Sequence, residues 1–306
     1  MKNYSKMLSS LIAVLFAIAT FIGMANEKAF AAPEPLIGGN SNGMTTIDWE
    51  TNYIVATGQG FAPESVTNRT KAQILARRAA IVDGYRQLAE SVKGVTIISN
   101  TTVRELEIDE DIITAKVDAV IKGAEVIEER PLPEGGYQVK MRLRIFGDNS
   151  LAQAVVKRTD FAPTPEPLQA PLPDVIPSSV VGNTTVSVVS NDSGKSAVGG
   201  FTGVVIDCRN QGLKTAMSPV IYNDREIKIY GHKNLNYDQV IANGMAGYAN
   251  NEAQAKGRAG SNPLIIRAIR IKDGTNPVIS VADANRMLIE NGATNFLTEA
   301  KVVFLR

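Results

Sequence analysis

The chain has 306 residues, 44% of them hydrophobic and 21% charged, which excludes disorder throughout and leaves room for two ordinary domains. Its 32 Lys and Arg nearly balance 31 Asp and Glu, so no overall field draws in nucleic acid or an anionic membrane. A single cysteine, Cys208, excludes an internal disulfide.

In chain order, residues 1–31 read as a signal peptide for the Sec route. Lys2 and Lys6 precede an apolar core from Met7 to Met24, and Ala29-Phe30-Ala31 forms an A-x-A site, so cleavage is expected after Ala31 and the protein in the periplasm or outside the cell. The alternative is an uncleaved anchor, because the core nearly spans a bilayer. No cysteine ends that core, so no lipid anchor is expected there.

Residues 45–150 form the first expected domain. "DWETNYIVATGQG" (Asp48 to Gly60) reads as a strand closed by glycines. The next segment, Asn68 to Gly94, reads as a long helix. Ile74, Ile81 and Leu88 recur at heptad spacing, flanked by Leu75, Val82, Tyr85, Ala89 and Val92, while Ala72, Ala76, Ala79 and Ala80 would let the backbone approach a sheet. A short strand at "VTIIS", a helix around Asp111 to Val120 and a hairpin through "PEGG" follow. In its second strand Tyr137, Val139, Met141, Leu143 and Ile145 alternate with Gln138, Lys140, Arg142 and Arg144. Glu125, Glu128 and Glu129 on the first strand should pair with that basic stripe.

Residues 160–200 read as a linker. Pro163, Pro165, Pro167, Pro171, Pro173 and Pro177 favour an extended half at about 3 Å per residue, and the Ser/Gly/Asn/Thr-rich remainder favours a flexible one. The second domain, 201–306, opens with the strand "FTGVVID", then two short strands in "AMSPVIYNDREIKIYG" and helical turns between Tyr237 and Arg258. A strand "PLIIRAIRI", a turn, a strand "PVIS", a helix started by Ser280 and Asp283, and a last strand "KVVFLR" complete it. The fold class is therefore α/β in the broad sense (α+β), with two small mixed-sheet domains, helices packed on one face, and a Pro/Ser/Gly-rich linker between.

Candidate chemistry is sparse. "GQGFAP" follows a strand as a dinucleotide loop would, but Pro63 occupies the third glycine position. "SGKS" (Ser193 to Ser196) has Val189 where a phosphate loop needs its first glycine. Zinc sites need several His or Cys, and this chain has only His232 and Cys208. Glu107, Asp109, Glu110 and Asp111 lack the spacing of a calcium loop and suit the positive end of a helix. A Cys208 nucleophile would need His232 as its base, and a cysteine phosphatase loop would need arginine where Lys214 stands. The plainer reading makes Cys208 a small buried hydrophobe, with Asp207 holding the turn after the strand. No catalytic, cofactor-binding or metal site is assigned, and no cofactor is expected.

"ATGQGFAPESVTNRTKAQILARRAAIVDGYRQLAESVKGVTI" and "YQVKMRLRI" together resemble the Lpp-twenty lipoprotein domain family over about residues 48 to 147. The shared features are Gly58 and Gly60 at a strand end, Ala76 with Ala79 and Ala80 in the helix, Gly94, and a closing strand from Tyr137 to Ile145. "TGVVIDCRNQGLKTAMSPVI" and "ISVADANRML" with "KVVFLR" are similar to the C-terminal part of larger exported bacterial proteins that carry that domain. A related domain occurs in the flagellar assembly protein FlgT. The resemblance implies a bacterial cell-envelope protein without known catalytic residues, whose partners are envelope proteins, flagellar or outer-membrane components among them, and not nucleic acid. This chain departs from the family in lacking a signal cysteine, and in carrying Cys208 where alanine is usual.

Three functions follow as expectations. The first is a non-enzymatic exported protein acting through protein contacts in envelope or flagellar assembly, with working parts such as the segment from Arg225 to Asn234. The second is a hydrolase or redox protein using Cys208. The third is a cell-wall polymer binding module, for which Trp49, tyrosines and carboxylates on a concave face would be the sign.

Overall fold

The computed structural model describes residues 44–99, 101–168 and 196–306. The expected signal peptide, the "SGKS" motif up to Lys195 and most of the expected linker lie outside them. The first domain opens with β1 (Thr45–Asp48) and β2 (Tyr53–Phe61), paired antiparallel. The single strand expected from Asp48 to Gly60 is therefore a hairpin. Asp48 Oδ1 accepts the N–H groups of Glu50 and Thr51 at 2.9 and 3.0 Å, and Asn52 turns the chain at φ 61°. The four-stranded sheet has the order β1-β2-β6-β5, with β5 at Glu125–Pro131 and β6 at Gly136–Arg144, antiparallel throughout.

Helix α1 (Arg69–Lys93) covers one face of this sheet. It begins where Asn68 accepts the Lys71 N–H at 3.0 Å and stops at Gly94. The expected apolar face holds in its second half, where Leu88 and Val92 are buried and Ile81, Tyr85 and Ala89 pack against the core, but Ile74 and Val82 are 51% and 68% exposed, and the most buried line begins with Ala76, Ala80 and Gly84. The cause lies in β2. A Cβ on Gly58 would stand 2.2 Å from the Ala80 carbonyl oxygen, and one on Gly60 would stand 2.3 Å from the Ala80 nitrogen. Backbone meets backbone at this crossing, so the helix turns its smallest side chains to the strand and leaves two aliphatic ones in water. Ala76 and Ala80 act as expected, whereas Ala79 is exposed.

After β3 (Thr96–Ile98) and β4 (Thr101–Thr102) come α2 (Val103–Asp109) and α3 (Asp111–Lys122). Only α3 was expected. The overlooked signal is Thr102-x-x-Glu105, a capping box that starts α2. Along β6, Val139, Met141, Leu143 and Ile145 are buried as the alternation requires, with Tyr137 half-buried. Of the glutamates expected to meet the basic stripe, Glu125 pairs with Arg142 at 2.8 Å and Glu128 stands opposite Lys140. Glu129 turns to the other face and binds Arg77 of α1 at 2.7 Å.

The second domain divides its strands between two sheets. A parallel sheet has the order β10-β14-β7-β11, from β7 (Gly203–Asp207), β10 (Gly247–Ala249), β11 (Pro263–Arg267) and β14 (Val302–Leu305). A mixed sheet has the order β12-β13-β8-β9, from β8 (Ile221–Asn223), β9 (Lys228–Tyr230), β12 (Arg270–Lys272) and β13 (Asn276–Ile279). "PLIIRAIRI" is thus two strands. β7 ends at Asp207, so the Ala268 N–H takes the last bond on that side, to the Asp207 carbonyl, and the Ile269 N–H turns to Val278 in the other sheet. The stretch from Tyr237 to Arg258 holds α5 (Tyr237–Asn243) and α6 (Glu252–Ala259) with β10 between them, a strand the sequence did not suggest. The final helix, α7 (Val281–Thr294), is capped by Ser280, which accepts the Asp283 N–H at 2.9 Å.

The two domains are joined directly as well as through the segment expected to link them. Met217 and Ser218 donate their N–H groups to the Thr96 and Ile97 carbonyls at 3.0 and 2.8 Å, and Gly147 donates to Ile241 at 2.8 Å. The Trp49 ring lies 5.4 Å from that of Tyr248 and 6.5 Å from that of Phe146. Both described ends of the expected linker are tied down. After a short helix α4 (Leu151–Val155), Phe161 packs edge-on to Tyr237 at 5.4 Å and Glu166 donates its N–H to the Lys233 carbonyl at 2.8 Å. At the far end Val198 and Gly199 donate to the Glu290 carboxylate at 2.9 and 2.8 Å.

Gly58→Ala should cost about 3 kcal/mol of stability in urea unfolding, the upper range for forcing a methyl into a filled contact. Val82→Ala, on the exposed side of α1, should change it by less than about 0.5 kcal/mol.

Candidate functional site

Cys208 follows β7, the central strand of the parallel sheet next to β14. Its N–H bonds the Leu305 carbonyl at 2.9 Å, and its side chain is 1% exposed. The thiol lies 3.6 Å from the Ile206 carbonyl oxygen, a weak contact inside the strand end. Burial, helped by the negative charge of Asp207, pushes the thiol up to about 12, so almost no thiolate exists at neutral pH. His232 begins a short turn after β9, at the end of the other sheet, half-buried and edge-on to Phe161 at 6.0 Å. Burial holds its imidazole below the usual range. The charges that act on it are those of Asp160, Lys228, Lys233 and Glu166. The structure does not bring the expected nucleophile and base together.

Asp207 performs the role expected of it. Its Oδ1 accepts the Arg209 N–H at 3.1 Å, and the Arg209 guanidinium grips both oxygens at 2.9 and 2.6 Å. That hydrogen bond comes first among the influences that hold the Asp207 carboxyl below its ordinary range. Among the described residues no group of three His, Cys, Asp or Glu could hold a metal ion. The acidic cluster is spent on helix ends and ion pairs: Asp111 opens α3, Glu110 binds Lys157, and Glu107 lies 3.9 Å from Lys93. The glycines of "GQGFAP" seat a helix instead of a phosphate. In the segment from Arg225 to Asn234, the exposed turn at Glu226 is fastened to Arg270 and Lys272, and β9 behind it is largely buried.

Two charges, one buried and one half-buried, were not anticipated from the sequence. Glu290 on α7 has no exposed side-chain surface. Burial works to raise its carboxyl, but the N–H groups of Val198 and Gly199 and the Arg286 guanidinium at 2.8 Å outweigh it, and the net direction is downward. Arg258 on α6 donates to three carbonyls, Ala300 at 2.8 Å, Asn243 at 2.6 Å and Gly244 at 2.7 Å, and no carboxylate lies within ion-pair distance among the described residues. Arg258 lines a cavity of about 420 Å³ where the Trp49 turn of the first domain faces the second.

Residues 51–143 match the family model of the LPP20 lipoprotein, and residues 203–306 match that of the second domain of Treponema pallidum Tp0624. The search of curated proteins finds no match. The first match agrees with the Lpp-twenty resemblance and suggests an envelope location. Among the described residues no helix is long and apolar enough to cross a membrane.

Two outcomes test this account. In the folded protein Cys208 should resist a thiol reagent at pH 8 and react only as the chain unfolds in urea, while Cys208→Ala should cost about 1 kcal/mol, as loss of a small buried group does. Glu290 has a folded value below its unfolded one, so its stabilisation is complete above the ordinary glutamate range near 4.3 and fades as pH falls through the lower, folded value. Glu290→Gln should therefore flatten the acid side of the stability profile, read as the unfolding midpoint between about pH 2 and pH 7.

Proposed function

We propose that this is an exported, non-catalytic protein of the bacterial cell envelope that acts through contacts with other envelope proteins. The observation that carries this reading is the surface of the domain that matches the LPP20 lipoprotein. Ile108 and Ile112, at the junction of α2 and α3, are 77% and 69% exposed. Val126 and Ile127 stand 41% and 44% exposed on the edge strand β5. Large aliphatic side chains left in water at a sheet edge and a helix junction are what a protein partner would cover. The buried, protonated Cys208 supports this reading over a thiol enzyme.

Assembly of the envelope, the flagellar basal body included, is the setting we assign to these contacts. The backbone bonds and the Trp49 contact that join the two described domains mean that a partner bound to one also meets the other as part of a single compact unit.

In vivo photo-crosslinking from positions 108 and 112 should trap a defined envelope protein. Ile108→Ser with Ile112→Ser, scanned by a crosslinker at a neighbouring exposed position, should lose that adduct while the purified variant keeps its unfolding midpoint. No specific adduct from either position would count against the reading. Normal motility after deletion of the gene would remove its flagellar part.

A further inference from the structure

We propose that the cavity between the two domains binds a small zwitterionic ligand, an amino acid or short peptide with a free carboxylate, which Arg258 anchors while Glu50 receives the ammonium group. The inference is independent of the protein-contact reading and begins with an unbalanced charge. Arg258 carries five N–H donors, and its bonds reach only three carbonyl oxygens. Carbonyl dipoles orient a guanidinium without neutralising it. A half-buried cation without a counter-ion leaves a site of positive potential, and where water is partly excluded an incoming carboxylate is worth more than in bulk water. Burial accordingly holds the Arg258 guanidinium below its ordinary range, with only Tyr230 and Tyr248 acting the other way.

The remaining lining decides which anion fits. Lys301 is engaged by Glu299 at 2.6 Å, so that pair balances itself. Glu50 is exposed on the Trp49 turn, lines the same cavity, and has no ion-pair partner among the described residues. The lining therefore offers one cation and one anion without an ion-pair partner among the described residues, one from each domain, which is the charge pattern of a zwitterion. Asn52, Asn243 and Gln254 also line the cavity. A volume of about 420 Å³ accommodates a dipeptide. Trp49 and Tyr248 form the floor, but at 4% and 3% exposure their faces are already covered, so a sugar ring has no aromatic platform to stack on. The geometry thus points away from a glycan strand and toward a peptide end.

The test uses the full chain and titrates alanyl-alanine, alanyl-alanine amide and N-acetyl-alanyl-alanine by calorimetry or ligand-observed NMR. The free dipeptide should bind saturably. The amide, without a carboxylate, and the acetylated form, without an ammonium group, should each bind about tenfold more weakly. Arg258 ties its helix to two loops, so its replacement tests folding as much as binding. Glu50→Gln is the informative variant, because Glu50 is exposed: it should bring alanyl-alanine down to the affinity of the acetylated form, whose own affinity it should leave unchanged. The proposal is overturned if wild-type protein shows no saturable binding of the dipeptide, if the acid and the amide bind equally, or if Glu50→Gln leaves dipeptide affinity unaltered.

Discussion

The closest constraint in the molecule is the crossing of β2 and α1, where two backbones touch with no side chain between them. Gly58 and Gly60 remove the atoms that would hold the helix away, and Ala76, Ala80 and Gly84 present the matching surface. Close approach of this kind brings Leu88 and Val92, one and two turns further along, down onto the sheet, where both are fully buried. It also fixes the rotation of the helix about its axis. Arg77 then falls beside Glu129 on β5, and Asp83 can accept the Gln59 N–H at 2.9 Å, so the polar bonds at the rim follow from the contact at the centre.

With the helix and sheet set, the end of the sheet determines how the domains meet. The hairpin turn between β1 and β2 throws Trp49 out of the sheet and against Tyr248, whose hydroxyl both accepts the Ala216 N–H and donates to the Ala216 carbonyl at 2.9 Å. Ala216 leads into Met217 and Ser218, which bond the first domain at Thr96 and Ile97. One tryptophan, one tyrosine and one pair of backbone bonds therefore act in series. Buried aromatic area and backbone bonds of this kind resemble a domain interior more than a transient interface.

Periodicity and punctuation were legible in the sequence wherever one element packs in a local way. The alternation along β6, the Ser280 cap of α7 and the acidic residues at helix ends each appear where the residues place them. What could not be read was decided by partners distant in the chain. The heptad of α1 held at Ile81 and Leu88 and broke at Ile74, because aliphatic spacing cannot reveal that the opposing strand carries glycines in contact with backbone. "PLIIRAIRI" looks like one strand because each residue suits one, and it divides only because β7 ends at Asp207 and β13 offers the next partner. The joint between domains was hidden for the same reason: Trp49 carries no sign in the sequence that Tyr248, almost two hundred positions later, will cover it. For Cys208 the sequence favoured a small buried hydrophobe and left its exposure open; the strand end after Asp207 is covered by β14, and that partner lies almost a hundred positions away.

The two unanticipated charges show what burial asks of a polar group. Glu290 and Arg258 both sit on helices of the second domain and both hold segments together through backbone groups, carbonyls in one case and N–H groups in the other. Glu290 also has Arg286, so its charge is answered within the protein, and its work is to fasten residues 198 and 199 to α7. Arg258 fastens the loops at Asn243 and Ala300 in the same manner, yet its charge is left to dipoles. A purely structural clamp does not need that imbalance, since a neutral donor such as glutamine could bridge carbonyls without drawing a cation partly out of water. The guanidinium stands beside a cavity, and a charge kept unbalanced next to open space is one that a ligand can complete.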